Sequence, residues 1–558
     1  MIAAALMGLA LAGEPDAPIL DALQAELERS IQRLSLADSP RIYDLRYKVW
    51  SVDASSEHAS FGATVERESR RTWRLGVEVR VGDASYDNTG FGGWSDGFRA
   101  VALPMNPTPD SARADAWRVT DDAYKDAVEQ YARKKSQAVL PADHPGDYQV
   151  LAGPPVRVTL DARPVAEPVS AEFARQLSAT LVVRPDLDVA DAWDSVESGI
   201  LWTLDSDGTH VARRVCEHTT RLAARLTTPD GATTTSDRLV STACDRDDQP
   251  TVRTRAAEAL AAEVISLAAA KPLAEDYVGP VVFLDDAAVD LFRSFLMPQL
   301  EGTPPEIPFD SFFGELGAGL DLARLHRRVL PSGWSVEDLG YDPHVPGTDL
   351  RFDDEGVPVQ PVVAVEDGIV HDLWMSRTPR AGLDGTNGHG RASLFGRSVG
   401  KAMSLLVTPP KRLSEAVLIR RALKEARQYE LDHVYVIRRL EDPALARYAD
   451  PEPDIPDDGP YLPGPLVIER VYADGRVEPV RGARFAAADR RVLRDVVAAG
   501  PQVDRVVLEA MDGRRYALDA TEGSPTRVSA PGVIVGEMEV VPSRSDTSDA
   551  HVLPPPPP

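Results

Sequence analysis

A glycine-spaced pentapeptide, Asn387-Gly388-His389-Gly390-Arg391, carries a concentrated set of side chains suited to ligand binding. Its two glycines allow backbone amides to approach a ligand closely, and the Asn, His and Arg side chains offer hydrogen-bond donors of different reach. A peptide carboxylate or carbonyl would suit such a loop. The alternative is a structural loop in which the glycines adopt left-handed turns and the histidine caps a neighbouring element. Asn387, His389, Gly390 and Arg391 are therefore the peptide-binding candidates.

Three consecutive carboxylates, Asp353, Asp354 and Glu355, follow Arg351 and raise the question of a metal cluster. Neighbouring side chains of an extended strand point to opposite faces, so three in a row cannot converge on one ion. We therefore expect these residues at the edge of a turn. The histidines of the chain have no partner at ligand spacing, and the sequence predicts neither a metal site nor a cofactor.

Cys216 and Cys244 are the only two cysteines of the chain. They flank the turn sequence Thr228-Pro229-Asp230-Gly231, which separates two alternating runs rich in Thr and Arg, and they are equally distant from Asp230. An antiparallel ladder centred on this turn would place the two cysteines opposite each other. The sequence thus predicts either a cross-strand disulfide in an oxidising compartment or two unrelated reduced thiols.

The size and charge of the chain narrow its class. With 558 residues, of which 43% are hydrophobic, it can bury the cores of two domains. A formal net charge of -26 argues against a nucleic-acid partner, because phosphate binding requires clustered Lys and Arg. The apolar residues 2–12 are typical of a signal peptide without a basic start, and no stretch is long enough to span a membrane. We expect export to the periplasm or cell envelope, with the cytoplasm as the alternative.

The periodicity of apolar residues predicts an α+β fold, because strands come in runs and do not alternate one for one with helices. The predicted organisation is a signal peptide (1–13), an N-terminal α+β domain (14–275), a C-terminal β-rich domain (276–541) and a disordered Pro-rich tail (542–558). Predicted N-terminal strands are 42–52, 59–65 and 72–81; predicted helices are 20–34, one opened by Thr120, 170–181, 251–270, and one capped by Asp285 or Asp286 and continuing to Leu300.

Several segments, taken in order, resemble the TldD/PmbA family, whose members are also called modulators of DNA gyrase. The resemblance covers most of the chain. It rests on the following segments: residues 77–82 with 87–88, 291–302, 351–358, 375–377, 387–391 and 529–534. It implies an N-terminal α+β domain, a C-terminal mostly antiparallel β domain, and dimers enclosing a cleft in which unfolded peptides are cut beside a zinc ion.

Residues 291–302 differ from the catalytic members of the family at both zinc-ligand positions and at the position of the catalytic glutamate. Catalytic members read Leu-Phe-His-Glu-x-x-Gly-His-Arg-x-Glu-Gly there, so Arg293 and Pro298 replace the two histidine ligands and Ser294 replaces the glutamate. A guanidinium has no free lone pair for Zn²⁺, proline has no donor atom, and a serine hydroxyl is a poor base. The late cysteine that completes the metal site of active members is also missing, since no cysteine follows Cys244.

These departures predict a metallopeptidase-like protein that has lost hydrolysis. We expect a homodimer or, with a motif-bearing TldD-like homologue, a heterodimer in which this chain binds peptide and the partner cuts. Two alternatives remain: an active peptidase with an unrecognised site, and a free-standing binding module of the envelope. Arg293 either decorates a helix without a function or holds a carboxylate or carbonyl at the former metal position. No residue pattern indicates contact with gyrase.

Overall fold

The computed structural model describes residues 16–92, 96–160, 170–227, 233–243, 249–307, 323–340, 351–392, 396–441, 462–510 and 523–543. Two large sheets and six α-helices make up most of this part of the chain. The helices are α1 (Ala17–Arg33), α2 (Pro109–Gln137), α3 (Ala171–Leu181), α4 (Gln249–Ala269), α5 (Asp285–Phe295) and α6 (Glu415–Ala426).

The first sheet has eight strands in the order β3-β2-β1-β6-β7-β5, with β4 paired to β2 and β8 paired to β7. All these pairs are antiparallel except β5 with β7. The strands are β1 (Ile42–Ser60), β2 (Ala63–Asp83), β3 (Tyr86–Asp87), β4 (Phe98–Leu103), β5 (Arg157–Leu160), β6 (Leu187–Asp205), β7 (His210–Thr227) and β8 (Thr233–Ala243).

The first two strands are longer than the sequence predicts. The expected strands 42–52 and 59–65 are not separate, because β1 continues to Ser60 and a tight turn leads directly into β2. Phe61 and Gly62 form this turn with φ angles of 48° and 80°, a conformation that glycine adopts without strain. Residues 53–56 lack a clear apolar alternation, yet hydrogen bonding to β2 and β6 keeps them extended.

Helix α2 begins earlier than predicted. The Thr108 side chain accepts a hydrogen bond from the Ser111 amide, and the Ser111 hydroxyl bonds back to the Thr108 amide, which forms a capping box with Pro109 in the first turn. The sequence prediction placed the start at Thr120, but this residue lies inside the helix. Its hydroxyl bonds to the Ala116 carbonyl at 2.7 Å and so does not cap.

The helices cover one face of the first sheet. Leu45, Tyr47 and Val49 of β1 point into a core formed with α1 and α2. Further along the sheet, Ala192 of β6 and Leu222 of β7 pack on α3 and α4. The alternation along each strand therefore sends the other half of the side chains to the opposite face.

The second sheet has twelve strands, with β22 at its centre. It is mostly antiparallel, with parallel pairings of β10 with β17, β16 with β22 and β19 with β9. Its strands are β9 (Lys271–Pro272), β10 (Tyr277–Phe283), β11 (Ser335–Asp338), β12 (Val362–Glu366), β13 (Ile369–Val370), β16 (Ser404–Thr408), β17 (His433–Leu440), β18 (Pro465–Tyr472), β19 (Val477–Arg481), β20 (Ala483–Phe485), β21 (Val496–Ala510) and β22 (Gly523–Pro542); β14 (Gly390–Arg391) and β15 (Val399–Gly400) form a separate pair.

Helix α4 contacts both sheets, since it packs on β7 and β8 of the first and on β19 of the second. The division at residues 275 and 276 therefore stays a prediction. The predicted signal peptide and the tail from residue 544 onward lie outside the described residues, as does Cys244. Within the described part, no helix is both long and apolar enough to cross a membrane.

Candidate functional site

The face of β1 that points away from the helices carries ionisable side chains at alternate positions. Asp44, Arg46 and Lys48 lie on this face, opposite the core-facing Leu45 and Tyr47, and all three are buried. A strand places every second side chain on the same side, so these three groups form one row. Loops of the second sheet cover the row and remove it from water.

Three neighbouring strands contribute a row of alternating charge centred on Arg46. The register places Arg46 between Glu78 of β2 and Asp205 of β6. The Arg46 guanidinium donates to Asp205 Oδ2 from Nε at 3.0 Å and from Nη2 at 2.7 Å. Arg46 Nη1 lies 3.8 Å from Glu78 Oε2. Opposite charges on directly paired positions stabilise the register, because a slip of one residue would send each to the apolar face.

Arg80 extends this network to the residues after β2. Its guanidinium donates to Glu78 Oε1 at 3.1 Å, to Asp87 Oδ2 at 2.9 Å and to Thr89 Oγ1 at 3.1 Å. Glu78, Arg80 and Asp87 belong to the segments 77–82 and 87–88 that carry the family resemblance. Those segments therefore meet in space.

The turn at residues 351–358 closes over the row. Asp353 Oδ1 accepts hydrogen bonds from the Glu355 and Val357 amides, both at 2.9 Å, and Gly356 has a φ of 77°. This confirms the predicted turn, but its carboxylates are buried and not at an exposed edge. Burial is tolerated because Glu355 Oε1 lies 3.5 Å from Arg46 Nη1 and Asp354 Oδ1 lies 3.3 Å from Arg213 Nη2.

Tyr148 lies between two guanidinium groups from different parts of the chain. The Arg80 Cζ atom is 3.9 Å from the centroid of its ring, and the Arg377 Cζ atom is 4.2 Å from it. The Tyr148 hydroxyl accepts a hydrogen bond from Arg46 Nη2 at 2.5 Å. Cation–π contacts strengthen when water is excluded, and here the ring is buried. Burial raises the pKa of Tyr148 well above its usual range, against the opposing effect of Arg46.

Asn387 and His389 hold the pentapeptide in place. Asn387 Oδ1 accepts from the Met375 amide at 2.9 Å, and its Nδ2 donates to the Leu373 carbonyl at 2.8 Å. The buried His389 ring lies 3.0 Å from Asn387 Oδ1 through Nδ1 and 3.5 Å from Asp338 Oδ2 through Nε2. His389 also contributes to lowering the pKa of Asp338, although burial acts in the opposite direction. Both side chains thus contact neighbouring segments of the chain.

Gly390 and Arg391 lie deeper still. The Gly390 amide donates to Asp353 Oδ2 at 2.8 Å, and a Cβ atom at Gly390 would lie 2.4 Å from Glu355 Oε2. Arg391 is buried 3.9 Å from Asp354. Among the four predicted peptide-binding residues only Asn387 is partly exposed, and the other three are buried. Peptide binding by this loop stays a prediction.

Two ionisable groups of the row have strongly shifted pKa values. Burial lowers the pKa of Lys48 to about 8, although Glu78 and Asp354 act to raise it. Lys48 Nζ donates to the Gly396 carbonyl at 3.0 Å, and Lys48 is paired with Gly76 of β2. For Glu78, burial raises the pKa, but Arg80, Arg397 and Arg46 outweigh it and hold the pKa far below its usual range.

The helix that departs from the family pattern ends before the second ligand position. Helix α5 starts at Asp285 with Leu284 as its N-cap, and stops at Phe295, followed by a 3₁₀ turn over Met297–Gln299. The prediction of a helix capped by Asp285 or Asp286 and continuing to Leu300 was wrong at both ends. Pro298 cannot continue an α-helix and lies in the 3₁₀ turn. Arg293 and Ser294 are half-buried on α5.

Glu301 and Gly302 match the family pattern, and their contacts explain why these residue types fit there. Glu301 Oε1 accepts a hydrogen bond from Lys401 Nζ at 2.6 Å. At Gly302 a Cβ atom would lie 2.2 Å from Met375 Sδ and 2.6 Å from the Trp374 carbonyl oxygen, so no larger residue fits. The segment from Trp374 to Arg377 thus connects the end of α5 to the buried charges.

A zinc ion does not fit the residues at the positions where the family resemblance would place its histidine ligands. Arg293 carries a fixed positive charge and Pro298 has no donor atom. In the described part of the chain, no group of three or more His, Cys, Asp or Glu side chains is placed to hold a metal. Chemistry routed through zinc therefore has no basis in these side chains.

The sequence did not predict Arg46, Lys48, Tyr148 or Asp205 as parts of this cluster. For β1 a signal was present, because Asp44, Arg46 and Lys48 alternate with apolar residues and a charged face on a long strand indicates a covered polar surface. Tyr148 and Asp205 have no comparable signal, since only tertiary packing brings them to Arg46.

Comparison with known proteins agrees with this geometry. Residues 277–426 match the family model described as the PmbA/TldA metallopeptidase C-terminal domain. No curated protein matches the chain. Among solved structures, a "putative modulator of a DNA gyrase" from Thermotoga maritima is 14% identical with a TM-score of 0.57, covering 94% of this chain and 100% of that one. TldE from Thermococcus kodakarensis is 13% identical with a TM-score of 0.56, at 93% and 100% coverage.

A third solved structure, a "putative modulator of DNA gyrase" from Bacteroides thetaiotaomicron, is 10% identical with a TM-score of 0.55, covering 94% of this chain and 98% of that one. At such identities the likeness establishes the fold. Residues 277–426 are similar to the C-terminal domain of the PmbA/TldD family, and nearly the whole chain has the fold of these solved proteins. The predicted family resemblance and the α+β fold are thereby confirmed.

Proposed function

We propose that this protein is a PmbA/TldD-type subunit without zinc hydrolysis, which binds peptide beside a motif-bearing homologue. The observation that carries the proposal is the side-chain chemistry of Arg293, Ser294 and Pro298 on and after α5. These residues supply neither a lone pair for zinc nor a carboxylate to take a proton from water. The family fold around them supports a role that needs the scaffold and not the metal.

The buried charges between the sheets support a positioning role for the pentapeptide. Asp353 anchors Gly390, Asp338 anchors His389, and Asn387 remains partly exposed. A rigid loop loses little conformational entropy when it binds an extended chain. We therefore propose that Asn387 contacts peptide directly, while His389, Gly390 and Arg391 fix its position.

The test is metal analysis of the purified chain, followed by cleavage of fluorescein-labelled casein with and without a motif-bearing homologue from the same organism. We expect no stoichiometric zinc, no cleavage by the chain alone, and co-purification with the homologue. Stoichiometric zinc that is lost together with hydrolysis on chelation would contradict the proposal. Cleavage that survives chelation in contaminant-free protein would favour an unrecognised peptidase site.

A stable homodimer without any homologue in pull-downs would remove the pairing proposal and favour a free-standing binding module. Arg293→Ala distinguishes the two roles of that residue. If Arg293 holds a carbonyl or carboxylate, the variant loses affinity for casein or for the homologue. If it only decorates α5, both affinities are unchanged.

We also propose export, on the basis of the apolar residues 2–12. We also propose a disulfide between Cys216 and Cys244. In support, β7 pairs with β8 so that Glu217 lies opposite Ala243, and each of these residues is next to one of the cysteines in the sequence. Mass spectrometry of the protein from an envelope fraction tests both. We expect a chain lacking the leader and a mass two hydrogens below that of the reduced form; an intact leader or two alkylatable thiols would contradict the respective proposal.

A further inference from the structure

Lys134 and Asp147 form a buried contact between helix α2 and the segment that follows it. Lys134 is entirely buried, and its Nζ donates hydrogen bonds to Asp147 Oδ2 at 2.6 Å and to the Thr89 carbonyl at 2.7 Å. The Tyr86 ring covers the ammonium group, with its centroid 4.7 Å from Nζ. Asp147 is buried too, at 6% exposure. An amine and a carboxyl group therefore touch in a place shielded from water.

The two carboxyl oxygens of Asp147 have different neighbours. The Asp87 amide donates a hydrogen bond to Oδ2 at 2.7 Å, whereas His144 Nε2 lies 3.2 Å from Oδ1. A main-chain N–H at a carbonyl oxygen stabilises the negative charge that develops there when the carbonyl carbon is attacked. A histidine beside the other oxygen is placed to transfer protons to a leaving group. The surroundings of Asp147 thus have the parts of an acyl-transfer site, with Lys134 as the nucleophile.

The energetics of burial favour a reaction between the two groups. Burial raises the pKa of Asp147, with Asp87 acting in the same direction and Lys134 in the opposite one. Proton transfer from ammonium to carboxylate gives a neutral amine, which is a nucleophile, and a neutral acid. An amide carries no charge, so its formation removes the cost of keeping two ions out of water. Contact within one folded chain also makes the reaction unimolecular.

We propose that Lys134 and Asp147 condense to an isopeptide bond, an amide between their side chains. The Nζ lone pair attacks Cγ, the Cγ–Oδ1 bond breaks, and Oδ1 leaves as water with two of the three ammonium protons. Nζ keeps the remaining proton, Oδ2 becomes the amide oxygen, and nothing is oxidised or reduced. His144 transfers protons to Oδ1, and the Asp87 amide holds Oδ2.

The bond fixes the segment that follows α2. Residues 138–156 contain neither helix nor strand, and Asp147 directly precedes Tyr148, whose ring lies between Arg80 and Arg377. A covalent link to α2 holds Tyr148 at the contact between the two sheets. This inference does not depend on the proposed function, because it involves neither zinc nor a bound peptide.

A second lysine–aspartate pair on α2 provides an internal control. Lys125 Nζ lies 2.5 Å from Asp121 Oδ2, but the two side chains are 54% and 28% exposed. Water solvates the charges of such a pair, so contact alone gives no reason for condensation. The Lys125 and Asp121 side chains should therefore remain separate.

The test is mass spectrometry of the full chain after denaturation, reduction and digestion with trypsin. We expect peptide 136–157 to be joined through Asp147 to the dipeptide Lys134-Lys135, at a mass one water below the sum of the two. Peptide 119–125, which contains the control pair, should be released at its full mass. A linear peptide 136–157 of full mass from the unsubstituted chain would overturn the proposal, and this result does not depend on whether any variant folds.

Two variants test the roles of the side chains. Lys134→Arg keeps the positive charge but offers no nucleophilic amine, so it should release peptide 136–157 in linear form. His144→Gln should slow the appearance of the joined peptide in freshly synthesised protein by about tenfold or more, since positioned proton transfer typically contributes about 10²–10⁴ in rate. A loss of water that persists in Lys134→Arg would place the condensation elsewhere and overturn the bond, and an unchanged rate in His144→Gln would overturn the role of His144.

Discussion

At the scale of single residues, Arg46 connects several buried polar groups from different parts of the chain. It contacts Asp205, Glu78, Glu355 and the Tyr148 hydroxyl, and none of these groups is accessible to water. A buried ion pair adds little net stability over apolar packing, but removal of one partner leaves an uncompensated charge. Replacing a single member of this buried group should therefore destabilise the protein.

Arg46→Met should lower the free energy of unfolding by about 3–5 kcal/mol, because Asp205, Glu78 and Glu355 would stay buried without their shared cation. Urea unfolding followed by circular dichroism measures the change. The exposed pair Arg70 and Glu68 provides the control, and Arg70→Ala should cost less than about 1 kcal/mol. Equal effects of the two substitutions would show that the buried network contributes no more than a surface pair.

Lys48 gives a prediction about pH. Its folded pKa of about 8 lies below the unfolded value of 10.5, so the unfolded chain binds more protons between these values. The free energy of unfolding of the protein, relative to that of Lys48→Met, should therefore rise as the pH increases from about 8 to 10.5. Urea unfolding at several pH values tests this. Lys135→Met controls for the loss of a lysine at an exposed site, and a flat difference for Lys48→Met would contradict the shifted pKa.

At the scale of elements, the sequence predicted the kind of each element better than its ends. The turn at Phe61 and Gly62 was hidden because polar residues precede it, and the start of α2 was misplaced because Thr120 resembles a cap. For β1 the pairing with the distant strand β6 decided the outcome, and no local pattern contains that partner. For α2 the start is set by the local capping box of Thr108 and Ser111, whereas the Thr120 hydroxyl lies 2.6 Å from that of Tyr47 inside the helix.

The candidate site was predicted only in part, because tertiary contacts bring its residues together. The segments around Glu78, Asp353, Arg377 and His389 were identified through their resemblance to the TldD/PmbA family. Their convergence was not predictable, because it depends on the pairing of β1 with β2 and β6 and on the turn that brings Asp353 to Gly390. Arg46 lay outside every recognised motif, although it is central to the arrangement.

Gly390→Ala tests the fit between β14 and the turn at residues 351–358. The added Cβ atom would lie 2.4 Å from Glu355 Oε2 and 2.9 Å from Asp353 Oδ2, so the loop must move. We expect a loss of about 2 kcal/mol or more in the free energy of unfolding. At Gly475, with φ of 88° and open space around its Cα, the same change should cost about 1 kcal/mol through backbone strain alone. A smaller effect at Gly390 than at Gly475 would contradict the close approach.

At the scale of the whole molecule, charges from both sheets neutralise each other. Arg46, Arg80 and Asp205 belong to the first sheet, whereas Glu355 and Arg377 come from loops associated with the second. Either surface without the other would expose unpaired charge that water must solvate. This interlocking joins the two sheets through buried ion pairs.

The position of Tyr148 allows the contact between the two sheets to be followed by the absorption of its phenolate. Its ring is enclosed by one guanidinium from each side, and its pKa is raised well above that of a free phenol. In an alkaline titration followed by ultraviolet absorption, the native protein and Tyr148→Phe should release the same amount of phenolate. After denaturation the unsubstituted chain should release one equivalent more, so a missing difference at that stage or an early one in the native state would contradict the enclosure. A single chromophore would then report when the two sheets come apart.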